Sequence, residues 1–294
     1  MAFKKRRDAT YVRDLPPLRR IIPYLMPTRT ESVVYFRQRI EVDLLLAWLE
    51  DSNADRSPGE RLSLFHVILT AIARTVRLRP EVNRFVSGRR TYQHDEISIS
   101  FVVKSVLTDE GTETEARLVL TGDETVEEVR ERVQSLLAHE RGPSRDGDDR
   151  LVDFFAGWPR PVLTGVARVV RELDYRNLMP AALRKSIPLY TSVYLVNAGS
   201  IGVDPPFHHL YEYGTASVFV SLGRVARQPV VDEHDRIVVR SCIDLVYTLD
   251  ERASDGFYFA RTAEVFRRLV ADPALLADPA LTVDEIVPTW PPRG

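Results

Sequence analysis

The sequence predicts a single α/β domain, and three observations carry that expectation. β-rich runs alternate with runs at helical spacing from about residue 31 onward. Apolar residues make up 44% and charged residues 28%, a balance that supports a sizeable core. No internal repeat divides the 294 residues, a length that one mixed α/β domain reaches without a second domain.

Residues 1–30 read as a Pro-rich arm. Pro16, Pro17, Pro23 and Pro27 stand among basic and apolar residues, a composition that resists regular structure and suits a segment lying on another surface, such as a neighbouring subunit. The run Lys4-Lys5-Arg6-Arg7 reads as a solvated tail. The domain then occupies 31–294. Residues 32–40 are β-rich, and 42–50 recover helical spacing through Leu45, Leu46 and Leu49. Ser57-Pro58-Gly59 marks a loop. A buried helix follows over 62–78, with Ser63 as its cap and Pro80 as its stop; His66 on it is a core or interface residue, and His94 further on reads as exposed.

Residues 97–103 and 116–120 alternate as two strands, joined as a hairpin through the polar turn 108–114. A charged amphipathic helix spans 125–140, and 141–149 has the composition of an exposed loop. Between 151 and 173 the helical pattern is broken at Trp158-Pro159, predicting two pieces, and Pro180 and Pro188 bracket a further short helix. Three strands come next, over 192–196, 217–222 and 237–249, the last long enough to be a central sheet element. Helix 257–270 closes the pattern.

The formal charge of -2 leaves no global field to attract nucleic acid, so no nucleic-acid partner is expected. No apolar run is long enough to cross a bilayer, and no apolar signal segment follows the basic start, so no membrane partner is expected either. With a single cysteine, Cys242, the composition fits a reducing compartment, and a cytoplasmic location is expected. Cys242 itself lies mid-strand between Arg240 and Asp244 with no evident base, the pattern of a buried structural thiol. Glycine-rich phosphate loops are absent, which removes support for nucleotide hydrolysis and hydride transfer. His208-His209 with Glu212 invites a metal reading, since imidazole and carboxylate suit zinc. Adjacent residues on an extended chain point in opposite directions, however, and no second histidine cluster is near in sequence, so no metal is expected.

Three segments carry a resemblance. They are Leu62-Ser63-Leu64-Phe65-His66 through Arg79-Pro80-Glu81-Val82-Asn83; Asn197-Ala198-Gly199-Ser200-Ile201-Gly202 with Gly214 to Gly223; and Asp250-Glu251-Arg252-Ala253-Ser254-Asp255-Gly256 entering the last long helix. Over roughly residues 31–273 the chain resembles the catalytic domain of the dihydrolipoyl acyltransferases of 2-oxo acid dehydrogenase complexes and, more distantly, chloramphenicol acetyltransferase. The resemblance implies a two-layer α/β (α+β) domain with a mixed sheet flanked by helices, assembled as a homotrimer, with a larger hollow assembly of trimers as a further option. It also implies CoA or acyl-CoA as ligand or substrate, with no covalently bound cofactor and no lipoyl group, because no lipoyl or peripheral-subunit-binding module is seen.

The third segment is similar to the family's Asp-His-Arg-x-x-Asp-Gly signature, with Glu251 at the histidine position. In the family that histidine removes the thiol proton, and a serine hydroxyl, which falls on Val196 here, stabilises the oxyanion. An ordinary glutamate titrates near pH 4, far from the working range of an imidazole, and valine donates no hydrogen bond. The resemblance therefore implies a pseudoenzyme: a self-assembling scaffold or a binder of CoA-type ligands. The alternative is an acyltransferase whose base is Glu251 itself or a relocated histidine, His208 or His209. By the same resemblance Asp255 holds an ion pair, with Arg29 or Arg37 as partner, and Gly256 permits the turn into the helix. Arg252 and Asp255 are further expected to supply charge partners for Glu251.

Overall fold

The computed structural model describes residues 6–104, 113–140 and 157–290. Between residues 6 and 30 the chain forms two regular elements, against the expectation of an irregular arm. Ala9–Tyr11 forms a strand (β1) and Pro17–Leu25 a helix (α1). Composition misleads here because Pro16 and Pro17 stand at the start of α1, where the first turn leaves N–H groups unbonded anyway and a fixed φ favours entry. What ties the arm down is Arg6, buried and hydrogen-bonded to Asp8, Ser87 and Asn177.

Val33–Glu41 (β2) and Asp43–Ser52 (α2) follow as expected. Leu64–Leu78 (α3) is the central helix, buried from Val67 to Val76. Its start is closed twice. The Ser63 hydroxyl accepts from the His66 amide at 3.4 Å, and His66 Nδ1 accepts from the Ser63 amide at 3.1 Å. Burial pulls the His66 imidazole down to about 4, which keeps Nδ1 free to accept. His66 is thus a capping residue.

Arg84–Ser87 (β3) and Arg90–His94 (β4) form a hairpin that sequence spacing did not signal. Gly88 and Arg89, at φ 57° and 60°, supply the two left-handed residues that a tight two-residue turn needs. β1 adds to β4, giving a small sheet in the order β1-β4-β3. His94, expected to be exposed, is 8% exposed: it pairs with Ala9 across the sheet and its ring lies 4.5 Å from that of Phe85.

Ile97–Lys104 (β5) and Glu113–Leu120 (β6) pair antiparallel as expected. Val126–Glu140 (α4) follows, and the expected exposed loop 141–149 lies outside the described residues, as does 151–156. Beyond Trp158-Pro159 come Arg160–Tyr175 (α5) and Ala181–Ser186 (α6). Val193–Asn197 (β7), Val218–Val231 (β8) and Ile237–Asp250 (β9) complete the main sheet, and Gly256–Ala271 (α7) and Val283–Ile286 (α8) end the helices.

The main sheet runs β2-β9-β8-β7-β5-β6 and is mixed, because β7 is parallel to both β5 and β8 while the other pairs are antiparallel. Helices α2, α3, α4 and α7 cover one face. The principal core lies between them, built from residues such as Ile68, Leu69, Leu195, Leu222, Leu245 and Val265. Across the sheet a smaller cluster, Tyr194, Leu210, Ala216 and Phe219, is capped by the connection from β7 to β8. A two-layer mixed-sheet α/β domain is therefore what the chain adopts.

The β7–β8 connection is held close by two glycines. A Cβ on Gly199 would stand 2.4 Å from the Gly223 carbonyl oxygen, and one on Gly223 would stand 2.5 Å from Pro205. The strand register of β8 on β9 shifts between Leu222 and Val225, where that approach occurs. Beyond the shift β8 pairs, among the described residues, only with β9, so Pro229 breaks no ladder on its other side.

Candidate functional site

The end of β9 carries the signature segment, and its charged residues are used within the fold. Asp250, 2% exposed, accepts from Arg252 Nε and Nη2, both at 2.8 Å, and from the Ser32 hydroxyl at 3.0 Å. Arg29 approaches the same carboxylate at 3.8 Å, while its other nitrogens donate to the carbonyls of Tyr211 and Gly214. Glu212 completes the cluster by accepting from the amides of Arg29 and Thr30 and from the Thr30 hydroxyl. Burial alone would raise the Glu212 carboxyl, but these hydrogen bonds outweigh it and hold the group below its ordinary value. The two arginines also close the arm onto the sheet, since Arg252 Nη1 donates to the carbonyl of Met26 at 3.2 Å.

Three sequence expectations fail at this point. Glu251 was expected to draw charge partners from Arg252 and Asp255. Its side chain is exposed and makes no ion pair among the described residues, because Arg252 is committed to Asp250. Only its backbone is engaged, donating to the Ser32 carbonyl and accepting from Arg19 Nη1 at 2.8 Å. Asp255 was expected to pair with Arg29 or Arg37. Its cation is Arg19, at 3.5 Å, and its principal role is to cap α7 by accepting from the Tyr258 amide at 2.7 Å. Arg37 instead reaches Asp244. Gly256 also differs from expectation: it is the first residue of α7, has no positive φ, and a Cβ there would meet nothing within 4 Å, so the turn does not require glycine.

Val196, the position of the oxyanion donor, lies on β7 opposite Ser221 of β8, which in turn pairs with Val246 of β9. Glu251 follows β9 five residues beyond that level, roughly 15 Å along the strand direction. One chain does not bring the two positions together. On the same face as Val196, the Ser221 hydroxyl is buried without a hydrogen-bond partner among the described residues.

His208 and His209 do not point apart. Their rings stack at 4.7 Å and 18°, since this stretch of the β7–β8 connection is not an extended strand. His208 also lies flat on Phe219, at 4.1 Å and 3°, and its carbonyl accepts from the Thr248 hydroxyl, three residues ahead of Glu251. Its Nδ1 lies 2.8 Å from the His209 carbonyl oxygen. A carbonyl only accepts, so Nδ1 carries a hydrogen, and in the neutral ring Nε2 keeps its lone pair. In that neutral form His208 presents Nε2 as an acceptor, and it is the tautomer, not the candidate base, that the sequence left unread. His209 is exposed. Cys242 is wholly buried and burial pushes its thiol up, which suits a structural role. Among the described residues, no group of three or more His, Cys, Asp or Glu is placed to hold a metal ion, and no helix is long and apolar enough to cross a membrane.

No family model and no curated protein matches the sequence. Solved structures do match the fold. The chain superimposes with a TM-score of 0.57 on a probable dihydrolipoamide acetyltransferase from Listeria monocytogenes, at 12% identity over 89% of this chain and 95% of that one. It reaches the same TM-score, at 14% identity over 92% and 95%, on the cubic core of the pyruvate dehydrogenase multienzyme complex. Chloramphenicol acetyltransferase follows at 0.50, with 11% identity over 90% and 98%. The mixed sheet, its one-sided helical cover and the segment closing β9 thus define an acyltransferase-type catalytic-domain fold. Its particular form is that shared by dihydrolipoamide acetyltransferase cores and chloramphenicol acetyltransferase.

Proposed function

We propose that this chain is a pseudoenzyme of the acyltransferase fold that works as a self-assembling scaffold, trimeric or built from trimers, and no longer catalyses thiol-directed acyl transfer by the family's route. The observation that carries this reading is the use of the signature residues. Arg252 is committed to Asp250 and Asp255 to capping α7, both structural tasks, while the base position holds an exposed Glu251 and the donor position holds Val196. Self-assembly is supported by exposed apolar side chains: Leu18, Ile21 and Tyr24 of α1, and Tyr35 of the edge strand β2 with exposed Phe207 packed against it. A solved structure similar to this one is itself a cubic core.

Sedimentation of the purified protein at micromolar concentration is expected to give three chain masses or a multiple, and a monomer would overturn the scaffold reading. Acetyl transfer from acetyl-CoA to dihydrolipoamide is expected to stay at background in the wild type and in Glu251→Gln. The informative variant joins Glu251→His with Val196→Ser, since the histidine alone leaves the oxyanion without a donor worth about 3 kcal/mol or more. Transfer by the wild type that is lost in Glu251→Gln would establish the opposite reading.

One observation favours a second reading. His208, with Nε2 free to accept and its backbone anchored to Thr248, supplies a relocated base for a CoA-dependent acyltransferase. That reading requires wild-type transfer abolished by His208→Gln and indifferent to Glu251→Gln.

A further inference from the structure

A cleft of about 410 Å³ opens where the N-terminal arm, the β3–β4 turn, α5 and the connection near Glu212 meet. Its size falls in the range of small organic ligands. The charges lining it are unevenly matched. At its base Arg29 and Arg252 are balanced by Asp250 and Glu212, through the hydrogen bonds and ion pairs of that cluster. In its wall Asp174 faces Arg6 at 3.6 Å, and the remaining carboxylate of that network, Asp8, is shared by Arg6 and Arg184.

Two lining guanidiniums are left over. Arg89, at the tip of the β3–β4 hairpin, and Arg171, on α5, are exposed and have no carboxylate partner among the described residues. The guanidinium of Arg89 is instead stacked over Tyr24, 5.2 Å from the ring centroid. The cleft therefore presents two uncompensated cations, from the hairpin tip and from α5. A further donor is orphaned at its base: Arg29, 3% exposed, leaves its Nε buried without a hydrogen bond.

We propose that this cleft binds a small molecule through a phosphate group, with Arg89 and Arg171 as its principal ligands. The planar five-donor fork of arginine suits phosphate oxygens, and two such forks on separate elements can share one group. Because Pro23, Pro27 and Thr28 form part of the same wall, an occupied cleft also fastens the arm to α5. The inference rests on the charges of the cleft and not on the acyltransferase reading.

Calorimetric titration of the full chain with pyrophosphate tests it, with succinate as a carboxylate control and CoA titrated in parallel. Saturable pyrophosphate binding is expected, weakened about tenfold by Arg89→Ala or Arg171→Ala and further by the double variant. Arg171→Lys should recover part of the loss. Both side chains are exposed, so the variants should melt like the wild type, and a melt separates lost binding from lost folding. Absence of saturable binding at millimolar pyrophosphate, unchanged binding by the double variant, or equally tight succinate would each overturn the proposal. Pyrophosphate binding without CoA binding would support the cleft while removing CoA as its physiological ligand.

Discussion

Arg252 and Asp250 form a buried two-point pair, Nε to Oδ1 and Nη2 to Oδ2, with both contacts at 2.8 Å and both side chains almost fully out of solvent. The pair is unsymmetrical in its surroundings, because a second arginine, Arg29, also faces the carboxylate.

That asymmetry ranks two substitutions. Removing one member of a buried pair costs about 3–5 kcal/mol, because the survivor keeps its charge and loses its partner. Arg252→Ala leaves Asp250 with Arg29 and with the Ser32 hydroxyl. Asp250→Ala leaves two buried guanidiniums facing each other. Urea unfolding is expected to show the second as the more damaging, and equal losses would indicate that Arg29 gives Asp250 no compensation.

Asp255 and Arg19 test the capping role. Loss of an N-cap side chain costs about 1 kcal/mol, so Asp255→Ala should lower the melting temperature while Asp255→Ser keeps most of it. The pair with Arg19 is half-open to solvent on the carboxylate side, and Arg19→Ala should shift stability by about 0.5 kcal/mol or less. A larger effect for Arg19→Ala than for Asp255→Ala would make the ion pair, not the cap, the reason for this aspartate.

Two glycines of the signature regions should respond in opposite ways to alanine. Gly199→Ala forces a Cβ against the Gly223 backbone, an overpacking expected to cost about 1–3 kcal/mol. Gly256→Ala meets open space at the start of α7 and should be neutral or stabilising by up to about 1 kcal/mol. Denaturation midpoints of the two variants check the contrast directly.

His94 makes stability depend on acid. Burial pulls its imidazole down to about 4 in the folded chain, against 6.5 unfolded; Asp8 opposes that shift, while Arg6 and Arg117 reinforce it. Between those values the unfolded chain binds more protons, so stability falls as pH drops from 6.5 to about 4 and is flat above. The full contribution is on the order of 3 kcal/mol. His94→Phe, which keeps a ring against Phe85, should remove that share of the slope, leaving the share of the same sign due to His66. Urea midpoints near neutrality and near pH 4 measure it, and an unchanged slope in His94→Phe would show that the imidazole is not held neutral.

The parts of the fold legible in sequence are those set by local rules. Ser63 and Pro80 bracket α3, and β-rich runs mark β5, β7 and β8, because caps, breakers and strand-favouring residues act within a few residues. What escaped depends on distant partners. His94 precedes a strand among polar neighbours and looks solvated, yet β1, more than eighty residues earlier, pairs alongside it. The cation beside Asp255 comes from Arg19, at the far end of the chain, so no spacing rule singles it out from Arg29 or Arg37. At the site, the replacements at Glu251 and Val196 were readable by position, whereas the stacking of His208 on Phe219 exists only after the chain has turned back on itself.

The place of β2 beside β9 also imposes a timetable on folding. Val33 pairs with Asp250 and Glu41 with Cys242, so the ladder that closes this end of the sheet joins residues about two hundred positions apart. During synthesis β2, α2 and α3 emerge long before their sheet partner, with Ile40, Leu45 and Ile68 still uncovered. A closure so distant in sequence slows the final step and lengthens the interval in which those side chains can stick to other chains. A fragment ending before β9 would keep β2 without its only sheet neighbour among the described residues, so shortening the chain from its C-terminal side is expected to yield aggregates in place of a smaller stable domain.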